Sequence, residues 1–194
     1  MNISTDVIKA LRDATGVSVM QCKKALEEAG GDLEKAKIIL RKHSSSAAAK
    51  KSDRALGAGV AVAYMHAGSQ VVGAVVLGCE TDFVAKNEEF GKIAYDIAMH
   101  VAAMKPEYIS RDDVKETDLA PARAVFEKES AGVPENARGK AIEGKLDSFL
   151  QEKVLLEQPF VKDPSITIRI LLDSAIQKFG ERIEVVRFER LSVK

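Results

Sequence analysis

Few side chains in this sequence have the type and spacing that covalent chemistry needs. The two cysteines, Cys22 and Cys79, stand far apart without a Cys-x-x-Cys pair, and His43, His66 and His100 are scattered. That speaks against a zinc ligand set or a disulfide framework and fits a reducing compartment, so the chain is expected in the cytoplasm. Cys22 falls on an apolar helical stripe and reads as a small buried hydrophobe. Cys79 beside Glu80 offers the one thiol-enzyme reading, yet no histidine is near it in sequence to generate a thiolate. Gly57 and Gly59 lack the Gly-Lys-Ser/Thr ending of a phosphate loop. Ser44–Ser46 is not a nucleophile elbow, and His100, next to Val101 on a helical pattern, reads as a packing or surface residue. No enzyme, cofactor or metal is expected. The segment that suggests a task is Thr81-Asp82-Phe83-Val84. Thr81 can cap a turn of helix, and Asp82 in its first turn is favoured by the helix dipole. Phe83 is then either core or an exposed tip. Because Asp82 and Phe83 are adjacent, one helical turn cannot bury both. The second reading is a rigid prong with an aromatic and an anionic end.

The elements that must carry this segment follow from periodicity. Residues 1 to about 43 read as three short helices. Ser4 or Thr5 caps the first, which ends at Thr15-Gly16. Ser18 and Gln21 form a capping box for the second, stopped at Gly30-Gly31, and Asp32 caps the third. Each is shorter than the ~12–15 residues at which isolated helices become even marginally stable, so they must pack on one another. SSSAAAKKSDRALGAG loses the apolar period and reads as a linker, partly helical at most. Beyond Gly59 the period becomes that of strands. Runs at 59–66 and 71–79 flank the turn Ala67-Gly68-Ser69-Gln70, a β-hairpin. A long helix follows, with Phe90, Ile93, Ala94, Ile97, Ala98 and Val101 inward, ending before Pro106. Ser110 and Asp113 open a short helix, and 119–153, broken near Gly132 and Pro134, gives two more. SITIRILLDSAIQKFG reads as a helix closed by Gly180, and RIEVVRFERLSV as a final strand. The expected architecture is α+β: a three-helix module (1–50), a linker (51–58), and a core (59–194) with a small three-stranded antiparallel sheet.

Strand 71–79 is apolar on both faces, with Val71, Val75 and Leu77 on one and Val72, Ala74 and Val76 on the other. Either the chain's own helices and linker cover both faces, or a second copy packs on one. With 46% apolar and 30% charged residues, no Trp and 5% aromatics, the core must be aliphatic. Lys+Arg and Asp+Glu are both 29. Zero net charge speaks against nucleic acid as the main partner, because binding phosphates needs a basic surplus. Residues 1–54 are mildly basic, with eleven Lys/Arg against seven Asp/Glu. Lys23-Lys24 reads as a solvated face. The N-terminus resembles neither a signal nor a transit peptide, and no apolar run approaches the ~20 residues of a membrane helix.

Two stretches carry a family resemblance: LRDATGVSVMQCKKAL from Leu11 to Leu26, and CETDFVAKN from Cys79 to Asn87. They resemble the two signatures of the elongation factor Ts family, and LEQPFVKD at 156–163 and the GERIEVVRFERL ending resemble its C-terminal core. The likeness covers nearly the whole chain in family order, and TDFVAKN is highly specific. It implies a guanine-nucleotide exchange factor of translation, binding elongation factor Tu in its GDP-bound and nucleotide-free forms. It implies that Thr81, Asp82, Phe83 and Val84 enter that partner's nucleotide domain and dislocate its magnesium. It also implies that a ubiquitin-associated-like N-terminal module docks through Arg12, Val19 and Met20. From the residues alone, Val19 and Met20 serve equally as a helix-start staple. The chain's length suits the short form of the family, which is homodimeric. One departure stands out: the family usually carries a glutamate and an asparagine in the strand before the motif, where this chain has Val76 and Gly78. The competing reading is an interaction protein whose N-terminal module binds some other peptide or helix.

Overall fold

Side-chain caps and left-handed glycines partition the N-terminal residues. The structure is a computed structural model and describes residues 3–66 and 68–193. Helix α1 (Thr5–Thr15) starts where the Ser4 hydroxyl accepts from Val7 N–H, and ends at Gly16 with φ 68°. Helix α2 (Val19–Glu28) starts where Ser18 accepts from Gln21 N–H. Gly30 and Gly31, at φ 66° and 87°, turn the chain into α3 (Leu33–Ala49). There the Asp32 carboxylate accepts from Lys35 and Glu34 N–H, which holds it below the usual carboxylate range. Leu11, Val17, Cys22, Ala25, Leu26, Ala36 and Leu40 close a small core among the three helices.

Helix α3 departs from the expected linker. It runs through the serine–alanine stretch to Ala49, making 17 residues rather than a short helix. Alanine favours helix intrinsically, and the serines are held. The Ser44 hydroxyl donates to Leu40 O and bonds the Gln177 amide, while Ser45 donates to Asp173 at 2.6 Å. Turns occupy Lys50–Asp53, before β1.

Strands β1 (Ala58–Met65) and β2 (Val71–Cys79) form the expected hairpin. Gly57 N–H bonds Cys79 O, and His66 N–H bonds Val71 O, so the strands run antiparallel. Gly68 and Ser69 supply positive φ (80° and 55°) at the turn. Met1, Asn2, Ala67 and Lys194, which the expected module, turn and core include, lie outside the described residues. After β2 come a single helical turn, α4 (Asp82–Ala85), then α5 (Glu88–Met104), α6 (Glu116–Glu129) and α7 (Glu135–Lys153). Between α5 and α6, Ser110 and Asp113 make a true capping box on a short 3₁₀ turn.

A second hairpin was hidden from the helix period. β3 (Pro159–Phe160) pairs antiparallel with β4 (Asp163–Thr167), so the helix expected from Ser165, α8 (Ile168–Phe179), begins three residues later. The Asp163 carboxylate accepts from both the backbone and hydroxyl of Ser165, a local turn that competes with helix formation. The chain ends in β5 (Ile183–Ser192), which completes a three-stranded antiparallel sheet in the order β1-β2-β5. The fold is α+β, as expected.

The chain forms two compact units. One gathers the residues up to Val62 with Val75–Asp96 and Arg169–Val186; the other gathers Ala63–Ala74, Ile97–Ile168 and the residues from Arg187 on. In the first, Val75, Leu77, Cys79, Phe90, Ala94, Ile183 and Val185 are buried, and Phe90 meets Phe179 edge-on at 6.0 Å. In the second, Ile97, Val101, Leu155, Phe160 and Ile168 are buried. Gly73 lies so close to α5 that a Cβ would sit 2.8 Å from Ala102 N and nearer still to Ala98 O. No helix among the described residues is long and apolar enough to cross a membrane.

His100, fully buried in the second unit, is a packing residue of a polar kind. Its Nε2 bonds Gln158 Oε1 at 2.9 Å and its Nδ1 accepts from Val161 N–H at 3.2 Å. With Nδ1 accepting, the ring is neutral. Burial pushes its pKa below the ordinary 6.5. The folded state therefore binds fewer protons than the unfolded one just below that value. Two outcomes follow for stability. Unfolding free energy, measured by denaturant titration, falls as pH drops below about 6.5, and His100→Gln flattens that part of the profile. Gly73→Ala lowers the unfolding free energy by about 1–3 kcal/mol, because backbone rather than a flexible side chain must give way.

Candidate partner-binding site

The segment Thr81–Val84 leaves the end of β2 and winds into the one turn of α4. Its residues part ways as soon as the turn forms. Val84 is 4% exposed and anchors the turn in the first unit's core, while Phe83, its neighbour, is 81% exposed. Asp82 is exposed too, and is paired with Lys86 one turn on, at 2.6 Å. Such a surface pair on a helix contributes little to stability. Of the two readings open for Phe83, core and tip, the tip is the one seen.

Thr81 does not cap the turn with its side chain, contrary to the expectation from its type. Its hydroxyl instead donates to Glu181 Oε1 at 2.6 Å. Glu181 Oε2 accepts Glu80 N–H at 3.1 Å and Thr81 N–H at 3.0 Å. In return Glu80 Oε1 accepts Arg182 N–H at 2.6 Å, and Arg54 Nη1 reaches the same carboxylate at 3.2 Å. The Arg182 N–H bond, and then the Arg54 guanidinium, hold the Glu80 carboxyl below its usual range. Arg182 also ties to Arg54 O and to Glu184. The ends of β2 and β5 are thus joined by carboxylates, each accepting from the other segment's backbone.

The sequence reading missed Glu80, Glu181, Arg182 and Arg54. The available signal was Gly180-Glu181-Arg182, an acid–base pair directly after a turn glycine at the start of a strand. Gly180 has φ 75°. What the sequence could not supply was the register that sets this pair opposite Glu80-Thr81.

Cys79 lies under the same base, buried, its thiol donating to Thr81 O at 3.2 Å. Burial, and then the Glu181 charge, push its pKa up, the reverse of what a nucleophilic thiol needs. Val76 and Gly78 face the side of β2 away from Leu77. A Cβ on Gly78 would lie 2.9 Å from Val186 and 3.0 Å from Leu56, so apolar side chains fill the space over that glycine.

The other expected contact residues lie in the same unit, on its N-terminal helices. Met20 is 81% exposed and Val19 53%, both in the first turn of α2, and Arg12 is exposed on α1. Cys22, two residues on, is buried with its thiol toward Val17 O. Burial raises its pKa, as expected for a small hydrophobe. Among the described residues, no hydrogen bond or ion pair joins the Arg12–Val19–Met20 surface to the Thr81–Val84 turn. Among those residues too, no three His, Cys, Asp or Glu side chains gather as a metal would need.

The turn thus presents an exposed Phe, and a separate helix presents an exposed Val and Met. The family model described as "Elongation factor TS" matches residues 49–194. A protein named Elongation factor Ts from Herpetosiphon aurantiacus is 46% identical over 195 residues, spanning 100% of this chain and 98% of its own length.

The chain belongs to the elongation factor Ts family.

The proteins of that name from Carboxydothermus hydrogenoformans and Thermotoga neapolitana are 47% and 43% identical, over 98% and 100% of this chain. As an elongation factor Ts family member the chain is a translation factor, and its surface is read below in that light. The stability consequence of the divided turn needs no partner. Phe83→Ala shifts unfolding free energy by less than about 0.5 kcal/mol, as exposed positions do. Val84→Ala costs about 2 kcal/mol, through lost burial and the space left behind. Paired melting curves of the two variants check this.

Proposed function

We propose that the chain is a guanine-nucleotide exchange factor that binds elongation factor Tu in its GDP-bound form and promotes GDP release. The observation that carries the reading is Phe83, 81% exposed on a turn whose next residue is buried at 4%. Large aromatics are the usual anchors of protein contacts, and this one is presented to water at a fixed place. On this reading Phe83 wedges into the partner's nucleotide domain beside its magnesium. Magnesium tolerates little departure from octahedral oxygen geometry, at ~2.0–2.1 Å. A small shift of the elements around it therefore releases the ion, and the GDP phosphates lose their main counter-charge.

No bond breaks in this scheme, so the factor acts by binding the nucleotide-poor state better than the nucleotide-bound state. Inverting a 1:99 population requires about 5.5 kcal/mol of such difference. One aromatic anchor contributes ~2–4 kcal/mol, so the prong works with neighbouring contacts. Contacts made equally to both states shift nothing. Arg12, Val19 and Met20 then set how long the factor stays on its partner, while the prong sets which state it favours.

The same reading includes a homodimer. In the first unit, Val76 (37% exposed) and Val186 (51%) leave apolar surface on the sheet face away from Leu77, where Leu56 and Val186 lie over Gly78. A second copy burying this face would satisfy it.

Release of fluorescent GDP from elongation factor Tu tests the proposal. The chain accelerates release, Phe83→Ala slows that release strongly without lowering the melting temperature, and removing magnesium narrows the gap between the two. Equal rates for the variant and the parent chain would rule out the wedge. Light scattering at micromolar concentration returns twice 21.0 kDa; a monomer mass rules out the dimer.

A further inference from the structure

We propose that Glu181 is the positioning residue of the prong, a clasp supplied from the segment before β5 that holds the residues leading into α4 and so fixes the direction in which Phe83 leaves the surface. The inference rests on the exchange reading above and assigns a residue that reading does not use.

Helix α4 has four residues, far below the length at which helical bonds sustain themselves. Its backbone bonds are Ala85 N–H to Thr81 O, Lys86 N–H to Asp82 O and Asn87 N–H to Val84 O. The amides at the start of a helix need acceptors, ordinarily the side chain of the N-cap. Thr81 makes no such bond. The carboxylate of Glu181 holds the stretch that leads into the turn instead: it accepts the amides of Glu80 and Thr81, the two residues before Asp82, and the Thr81 hydroxyl as well. Three donors on one anion are charge-assisted bonds, shorter and stronger than neutral ones. Together they leave the Thr81 side chain and backbone no freedom to rotate, and Phe83 is two residues away.

Glu181 is itself well fixed. It follows the left-handed Gly180 at the end of α8 and opens the approach to β5. Arg182 N–H, next in the chain, is bonded back to Glu80. The two glutamates also divide their tasks. Glu80 takes the cation, Arg54, beside one backbone amide, that of Arg182, while Glu181 takes two backbone amides and a hydroxyl. An acid serving only to pair charge across the strand ends would be expected to hold the guanidinium.

Two readouts separate positioning from a merely structural role. The first uses the chain alone. In Glu181→Ala the amides of Ala85, Lys86 and Asn87 exchange with solvent about tenfold faster, while those of Val75 and Leu77 keep their protection, because only the turn is loosened. The second uses catalysed GDP release from elongation factor Tu. Glu181→Ala lowers kcat about tenfold with KM within about twofold, since misplacing a working group acts on the step rather than on docking. Combined with Phe83→Ala it is no slower than Phe83→Ala alone, because a residue acting through Phe83 has nothing left to act through. Thr81→Val, which leaves Glu181 in place and removes only the hydroxyl it accepts, moves both readouts the same way. This variant carries the test should Glu181→Ala fail to fold. Unchanged exchange at Ala85–Asn87 overturns the proposal, as does a Glu181→Ala defect that multiplies with that of Phe83→Ala. If Phe83→Ala is slow and Glu181→Ala is not, only the role of Glu181 falls. If Phe83→Ala releases GDP at the parent rate, the wedge itself falls and Glu181 with it.

Discussion

A four-residue turn of helix cannot hold an aromatic ring in water by its own backbone bonds, and everything about the first unit's sheet end answers that constraint. Nucleating a helix fixes several dihedral angles for one hydrogen bond, so an isolated turn is strongly disfavoured. α4 is held from outside instead. Val84 pins it to the core, Glu181 binds the amides of Glu80 and Thr81 that lead into it, and Asn87 Oδ1 accepts Glu89 N–H where α5 begins. The aliphatic core beneath, with Phe90 and Phe179 its main aromatic pair, supplies the stiff floor that such a turn needs.

The sequence was legible where a residue's role is local. Ser4, Ser18 and Asp32 announce helix starts because a short polar side chain reaches a backbone amide two or three residues on, wherever the rest of the chain goes. Gly16 and Gly30 announce ends because the left-handed region excludes most other residues. Alternation in the last strand located β5 within a residue. Legibility failed where a partner distant in sequence decides. Nothing near Ser44 says that it bonds Gln177 and so keeps α3 helical through a stretch that looks like linker. Nothing near Thr81 says that its hydroxyl turns to Glu181 rather than to its own turn. The β3–β4 hairpin failed for a different reason: Ile166-Thr167-Ile168 fits either period, and pairing with β3 at Pro159 and Phe160 decides it.

The site was half legible in the same sense. The type and adjacency of Asp82 and Phe83 implied that one of them had to face water. Exposure of Phe83 itself required coordinates, since a phenylalanine after a strand is more simply core. Val19 and Met20 were ambiguous for the opposite reason. A helix-start staple and a contact patch use the same residues at the same place, and their exposure in the first turn of α2 says only that neither is packed into the core.

The exchange reading and the clasp at the prong's base meet in a question of stiffness. When two bodies are pressed together the softer one deforms, and the work of binding is spent there. A wedge that is to displace elements around a partner's magnesium must be stiffer than those elements, or binding will merely bend the wedge. Stiffness is not obtained from the tip, because Phe83 touches too little of its own chain to be held by packing. It has to come from Glu80 and Thr81, which lead into the turn and bond across to Glu181. Neutral hydrogen bonds from such a half-exposed position compete poorly with water. Bonds to an anion compete better, which gives a physical reason for a carboxylate rather than an amide or hydroxyl at 181. The same logic separates stability from function on this surface. The clasp closes the ends of β2 and β5, so the fold gains from it modestly. On the exchange reading the partner's response depends on where Phe83 stands, so on that reading function is far more sensitive than stability to the clasp's loss.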